Sequence, residues 1–302
     1  MSCRRYIALW VVAVICSTNA LDSNARSEDI YTSHHPIHKI AVIDDDGRMT
    51  EEEYAQKKGV PVEEVQNRLA ATGVLKCDND STSAQITGAN DTITTVAHMF
   101  KSKECAKRNE PKKCSFTVKV GGKELTSLIA SLADIGYKCP GGRRKDDWAV
   151  LKLQTPIGVK PYALPYSDEK IWPDDPVISI AATSTDFYRV AGRDSRAPPK
   201  SIEECQGRYP YFEDGLQVMF ASNCDSSQGS SGGSMLRERK RHDVLMAITA
   251  GNKETAAQIN RAERTGVPTS RAFAEGKWAS YHIPLKGAFL EAVEKAIGGR
   301  SP

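Results

Sequence analysis

No CxxC pair occurs in the 302 residues, no apolar run is long enough to cross a bilayer, and neither charge dominates once the first 20 residues are set aside. Each absence removes a class of protein. Without paired knuckle cysteines there is no zinc ribbon. The longest apolar run, 6–16, falls well short of the roughly 20 residues a spanning helix needs. Removing Arg4 and Arg5 with the leader leaves 39 basic residues against 38 acidic ones. A balance so near neutral gives no electrostatic footprint for nucleic acid or a membrane surface. No internal repeat and no low-complexity block interrupts the chain.

What is present begins with an export signal. Residues 1–20 carry Arg4 and Arg5, then the apolar run, then small and polar residues ending at Ala20, the order of a cleaved secretory leader. Cleavage there predicts a secreted or periplasmic protein. Six cysteines remain, at positions 77, 105, 114, 139, 205 and 224, and an even count in an exported chain reads as disulfides. Short spacing favours Cys105–Cys114 and Cys205–Cys224, leaving Cys77–Cys139.

Residues 21–72 form a leader and a helical hairpin. The leader holds His34, His35 and His38 and reads as a solvated tail. Residues 50–71 have a helical pattern broken at Gly59-Val60-Pro61. Within this stretch, Asp44, Asp46, Gly47 and Glu53 imitate a calcium loop, although Val42 stands at its first ligand position. Ala55, Gly59 and Val65 imitate a helix-turn-helix spacing, which an exported neutral chain does not use. From Val74 onward the signals change. Runs rich in β-branched residues at 84–87, 91–96, 115–120, 148–153, 177–182, 217–221 and 244–249 alternate with Gly, Pro, Asp and Asn clusters, the spacing of sandwiches or barrels. An amphipathic stretch at 285–297 predicts a C-terminal helix.

Three motifs carry chemistry. Thr94-Thr95-Val96-Ala97-His98 ends a β-rich run in a histidine. Asp147-Trp148-Ala149-Val150-Leu151 leads an acid into a strand. Cys224-Asp225-Ser226-Ser227-Gln228-Gly229-Ser230-Ser231-Gly232-Gly233 is a glycine-serine turn followed by an apolar strand. A serine hydroxyl is a weak nucleophile and needs an adjacent base. An imidazole, ordinarily titrating near about 6.5, can take that proton and return it to a leaving amine. A carboxylate behind the imidazole fixes its tautomer and stabilises the imidazolium. His98, Asp147 and Ser231 supply these three groups.

On these motifs the chain resembles the trypsin-like (chymotrypsin-fold) serine peptidases, in particular the bacterial secreted branch related to glutamyl endopeptidases. The resemblance covers roughly residues 73–290. It implies an all-β fold of two antiparallel six-stranded β-barrels, the first about 73–165 and the second about 166–284, followed by the helix. The whole peptidase domain would then span 73–302. It also implies a secreted endopeptidase with His98, Asp147 and Ser231 as catalytic residues and the N–H groups of Gly229 and Ser231 as the oxyanion hole. Asp225 would line the S1 pocket and favour Arg or Lys at P1, while Thr249 and Gly251 would lie on the strand that pairs with substrate. Thr249 stands where glutamyl endopeptidases carry a histidine, which argues against cleavage after Glu. Ser230 fills the slot that holds an aspartate in animal trypsins, so no carboxylate is there to receive a freed N-terminal ammonium. The run Arg237–Arg241 reads as a solvated hairpin tip.

The expected partners are protein or peptide substrates. No nucleic acid is expected, no membrane once the signal is cut, and a monomer is the working unit. No cofactor or metal enters the chemistry. Two other classes fit parts of the sequence: a catalytically impaired protease-fold binding protein, and a calcium-binding helical module attached to a β domain.

Overall fold

The computed structural model describes residues 42–139, 141–183, 200–227, 229–240, 242–253 and 270–298. The signal segment, the histidine-bearing leader up to Ala41 and residues 254–269 lie outside them. A short strand, β1 (Val42–Ile43), runs parallel to a second short strand at Ser270–Arg271.

Helix α1 (Glu51–Lys58) starts where its sequence supplies a cap. Thr50 accepts the Glu53 N–H, and the Glu53 carboxylate accepts the Thr50 N–H at 2.7 Å. Three glutamates in the first turn and two lysines in the last suit the helix dipole. Gly59 ends the helix in the left-handed region at φ 67°, and α2 (Val62–Arg68) begins after Pro61. The stretch that imitates a calcium loop is therefore a helix start, with Glu53 in a capping box and Asp46 paired to Arg48 at 2.8 Å. Ala55 and Val65 are buried in the apolar cluster that includes first-barrel side chains.

Two closed barrels follow. The first comprises β2 (Thr72–Cys77), β3 (Asp80–Ile86), β4 (Thr92–Thr95), β5 (Cys114–Val120), β6 (Lys123–Ile135) and β7 (Ala149–Leu153), closed in the order β2-β3-β4-β7-β6-β5. In β5, Cys114, Phe116 and Val118 are buried at alternate positions, the period of a strand with one face inward. The second comprises β8 (Pro176–Ala181), β9 (Ser201–Glu213), β10 (Leu216–Ser222), β11 (Ser234–Arg239), β12 (His242–Lys253) and β14 (Ala279–Pro284), with Ser270–Arg271 as β13 outside it. It closes in the order β10-β14-β12-β11-β8-β9. All pairings within the barrels are antiparallel.

The barrels meet through buried hydroxyls. Thr72 Oγ1 lies 2.7 Å from Ser234 Oγ, which donates to Gln85 Oε1, and Gln85 Nε2 in turn donates to Thr94. Helix α3 (Ala288–Ala296) returns to the first barrel, where Phe289 stacks on Trp148 at 4.9 Å and Lys152 Nζ donates to the Ala296 carbonyl.

The disulfides are Cys77–Cys114, Cys105–Cys139 and Cys205–Cys224. Only the last matches the short-spacing expectation; Cys105–Cys114 and Cys77–Cys139 are corrected. Closing the first barrel makes β2 and β5 neighbours, with Cys77 and Cys114 as register partners. Adjacency around a barrel, not distance along the chain, sets that pairing. The Arg237–Arg241 run needs a second correction. Arg241 lies outside the described residues; residues 237–240 do lead into a hairpin, but Arg237 binds Glu169 and Asp175, and Arg239 binds Glu169.

Candidate active site

His98 sits in the single 3-10 turn Ala97–Met99 that follows β4. Asp147 follows another such turn, Arg144–Asp146, and precedes β7. Because β4 and β7 are paired, with Thr95 opposite Ala149, the two turns lie side by side. Asp147 grips His98 twice. Its Oδ1 accepts the His98 backbone N–H at 2.8 Å, and its Oδ2 lies 2.7 Å from Nδ1. The acid is buried while the imidazole is about one-third exposed. Tyr137 stands behind the pair, and burial together with the Asp147 charge raises its phenol well above the ordinary range. Trp148, next to the acid, is fixed by its stack on Phe289.

Ser231 comes from the second barrel, in the turn between β10 and β11. First-barrel strand β3 holds its carbonyl: the Ser83 N–H donates at 3.0 Å and Thr82 Oγ1 at 2.6 Å. On the other side the Gly232 N–H donates to the Thr249 carbonyl, and the Thr249 N–H to the Gly233 carbonyl. A Cβ on Gly232 would meet the Ser83 carbonyl at 2.1 Å and Thr95 Oγ1 at 2.5 Å. The residue after Ser231 therefore packs against the strand that leads into His98. Gly229 has φ 91°, a conformation that requires glycine. Ser230 is buried and its Oγ accepts the Ser227 N–H. Among the described residues no hydrogen bond joins His98 to Ser231; such bonds commonly tighten only when substrate arrives.

The residues expected to bind substrate divide. Thr249 is buried in β12, and Gly251 on the same strand is opposite Tyr281 of β14, over whose ring the Arg144 guanidinium lies at 4.6 Å. Asp225 is placed differently from an open pocket acid. One carboxylate oxygen accepts the Ile43 N–H at 2.6 Å and the other the Gly47 N–H at 3.0 Å. Its own N–H donates to Glu203, which is fully buried beside it. Burial, with Asp225 as a close negative neighbour, raises the Glu203 carboxyl far above the usual range. Burial also lifts Asp225, to about 8, against the lowering influence of the Ile43 N–H, Arg48 and the Gly47 N–H. No sequence signal marked residues 43–47 as the cover of this acid, because the contact spans 178 to 182 residues.

No protein-family model matches the chain, and no curated protein matches it. Solved structures do. A Glu endopeptidase, described in complex with MPD, aligns with TM-score 0.59 and 15% identity over 84% of this chain and 98% of its own. An inactivated protease paralogue of the scabies mite aligns with TM-score 0.53 and 12% identity, over 78% and 96%. A thermostable serine protease from an extremophilic microorganism aligns with TM-score 0.50 and 11% identity, over 76% and 97%. The chain has the chymotrypsin-type double-barrel fold of serine proteases. A fold shared with an inactivated paralogue does not by itself decide activity, so the side chains must.

Proposed function

We propose that the protein is an exported serine endopeptidase acting through His98, Asp147 and Ser231. The observation that carries this reading is the double grip of Asp147 on His98, at 2.7 and 2.8 Å, with Ser231 on a glycine turn of the other barrel and its carbonyl bonded to Ser83 and Thr82 of the first. Three disulfides and the absence of a membrane-crossing helix among the described residues are compatible with export.

The chemistry follows from these positions. Ser231 Oγ attacks the scissile carbonyl carbon while its proton passes to His98 Nε2. The carbonyl π pair moves onto oxygen, and the N–H groups of Gly229 and Ser231 receive the oxyanion. Asp147 keeps the Nδ1 proton of His98 and balances the imidazolium. Collapse of the intermediate expels the amine, which takes the proton from His98, and leaves an ester on Ser231. Water, deprotonated by the same imidazole, then hydrolyses that ester. Substrate backbone would pair with β12 near Gly251 by strand addition. A single chain contains every group named.

Preference for Arg or Lys at P1 is the finer part of the reading and rests on Asp225. The cover formed by Ile43 and Gly47 favours a second reading of that residue, as an internal anchor. The test is fluorophosphonate labelling and a positional-scanning cleavage profile of purified residues 21–302. Wild type should label and cleave near neutral to mildly alkaline pH. Ser231→Ala should lose labelling and about 10⁶ in turnover. Equal labelling of both proteins would sink the assignment. A strong Arg/Lys profile would restore Asp225 to the pocket.

A further inference from the structure

The turn that presents Ser231 is held by more than its own backbone. The Gly229 carbonyl points inward and accepts two hydroxyl hydrogen bonds, from Thr183 Oγ1 at 2.5 Å and from Ser83 Oγ at 2.9 Å. Ser83 is on β3 of the first barrel, and Thr183 lies just past the end of β8 in the second. Ser83 Oγ also accepts the Ala182 N–H at 2.9 Å and lies 3.4 Å from Thr183 Oγ1, so the two hydroxyls that reach Gly229 also meet each other. Both hydroxyl residues are buried, Ser83 at 0% and Thr183 at 6% exposed, while Gly229 is partly exposed. A Cβ on Gly229 would meet the Thr183 carbonyl at 1.9 Å, so the glycine packs directly on the residue whose hydroxyl holds it.

We propose that Ser83 and Thr183 are positioning residues for the oxyanion hole. The inference rests on the peptidase reading above. Gly229 contributes its N–H to the oxyanion and its carbonyl to the two hydroxyls. Its φ is 91°, and anchoring the carbonyl restrains ψ, the second torsion that relates that carbonyl to the N–H. The adjoining Ser231 peptide is tied to the same strand through Ser83 N–H and Thr82 Oγ1. Strand β3 thus holds both residues that donate to the oxyanion, and Thr183 adds a second support from the barrel that owns the turn. Both residues are buried, with their hydroxyls turned to the Gly229 carbonyl. Each acts by keeping preorganised donors aimed where charge develops, and donors aimed in advance need no rearrangement during reaction. A carbonyl has two acceptor positions, so one hydroxyl partly compensates for loss of the other.

The test compares wild type with Ser83→Ala, the near-isosteric Thr183→Val, their double variant, and Thr183→Ser, which keeps the hydroxyl. Four quantities are measured: kcat, KM, affinity for a peptide aldehyde whose hemiacetal oxygen occupies the oxyanion position, and amide exchange across 229–236. The double variant should lose about 10- to 100-fold in kcat, with KM within about twofold of wild type. Aldehyde affinity should fall by the same factor, exchange should quicken, and Thr183→Ser should stay near wild type. A merely structural pair would lower thermal stability without that kcat and aldehyde signature. Unchanged kcat in the double variant, or a loss confined to KM, overturns the proposal. If Ser83→Ala fails to fold, Thr183→Val against Thr183→Ser carries the same comparison. A wild type that neither labels nor turns over overturns the peptidase reading itself. Amide exchange, which needs no activity, separates that failure from failure of the clamp: unchanged exchange in the double variant means that the hydroxyls do not hold the turn.

Discussion

The two barrels share one topology but bury different chemistry. Among the described residues of the first barrel, 72–153, Asp147 is the one buried carboxylate or base; its interior otherwise holds side chains such as Leu75, Ile86, Ile93, Phe116, Ile129 and Leu151 beside hydroxyls and Gln85. The second, 176–284, buries Lys200, Glu203, Asp225, Asp243 and His282. The first barrel can thus serve as an inert frame that fixes His98 and Asp147. The second carries ionisable groups whose burial makes its stability depend on pH. His282 shows the consequence: stacked on Phe220 and bonded to Ser222 Oγ, it is pushed down to about 3 by burial.

Three substitutions break or sharpen this contrast. The largest effect should come from the first barrel's single buried acid. Asp147→Asn should lower kcat by about 10⁴, since the amide cannot hold the same His98 tautomer, while leaving urea unfolding little changed. A comparable collapse of stability would mean that Asp147 is structural, and the frame less inert than described.

Next is Phe289→Ala, which removes the ring stacked on Trp148 beside that acid. Loss of a buried aromatic should cost about 3–5 kcal/mol in unfolding free energy measured by urea titration. A loss below about 1 kcal/mol would show that α3 is not part of the frame.

The smallest effect is the most diagnostic. Asp225 and Glu203 have raised carboxyls in the folded state, so their stability contribution is complete below the unfolded value of about 4 and is lost as pH rises. For Asp225 the window extends to about 8. His282 runs the opposite way, with stability lost as pH falls from about 6.5 towards about 3. Asp225→Asn keeps an acceptor for the 43–47 cover but cannot ionise. Its unfolding free energy in urea should fall less than that of wild type between pH 5 and pH 9, by a difference on the order of 1–3 kcal/mol. Parallel curves would show that Asp225 is not a buried, ionising group.

Legibility along the sequence followed local chemistry. The apolar β-branched runs at 84–87, 91–96, 115–120, 148–153, 177–182, 217–221 and 244–249 all coincide with strands. Strands β6 and β9 gave weaker signals. Much of β6 faces outward and carries Lys, Glu, Thr and Ser, while β9 contains Pro210 and several glutamates. The α1 boundaries were readable because Thr50, Glu53, Gly59 and Pro61 act within one helical turn of themselves.

By itself the sequence determined the class of fold and the helical stretch broken at Gly59-Val60-Pro61, and it pointed to the three side chains proposed for acyl transfer, since each depends on residue type and short-range pattern. Only the tertiary structure decided which cysteines meet, what covers Asp225, and which hydroxyls reach the Gly229 carbonyl. Those partners are far apart along the chain, by 37 residues for Cys77–Cys114, 182 for Ile43 and Asp225, and 146 for Ser83 and Gly229. Barrel closure brings them together, and a serine or an aspartate carries no local mark of the neighbour that closure will give it.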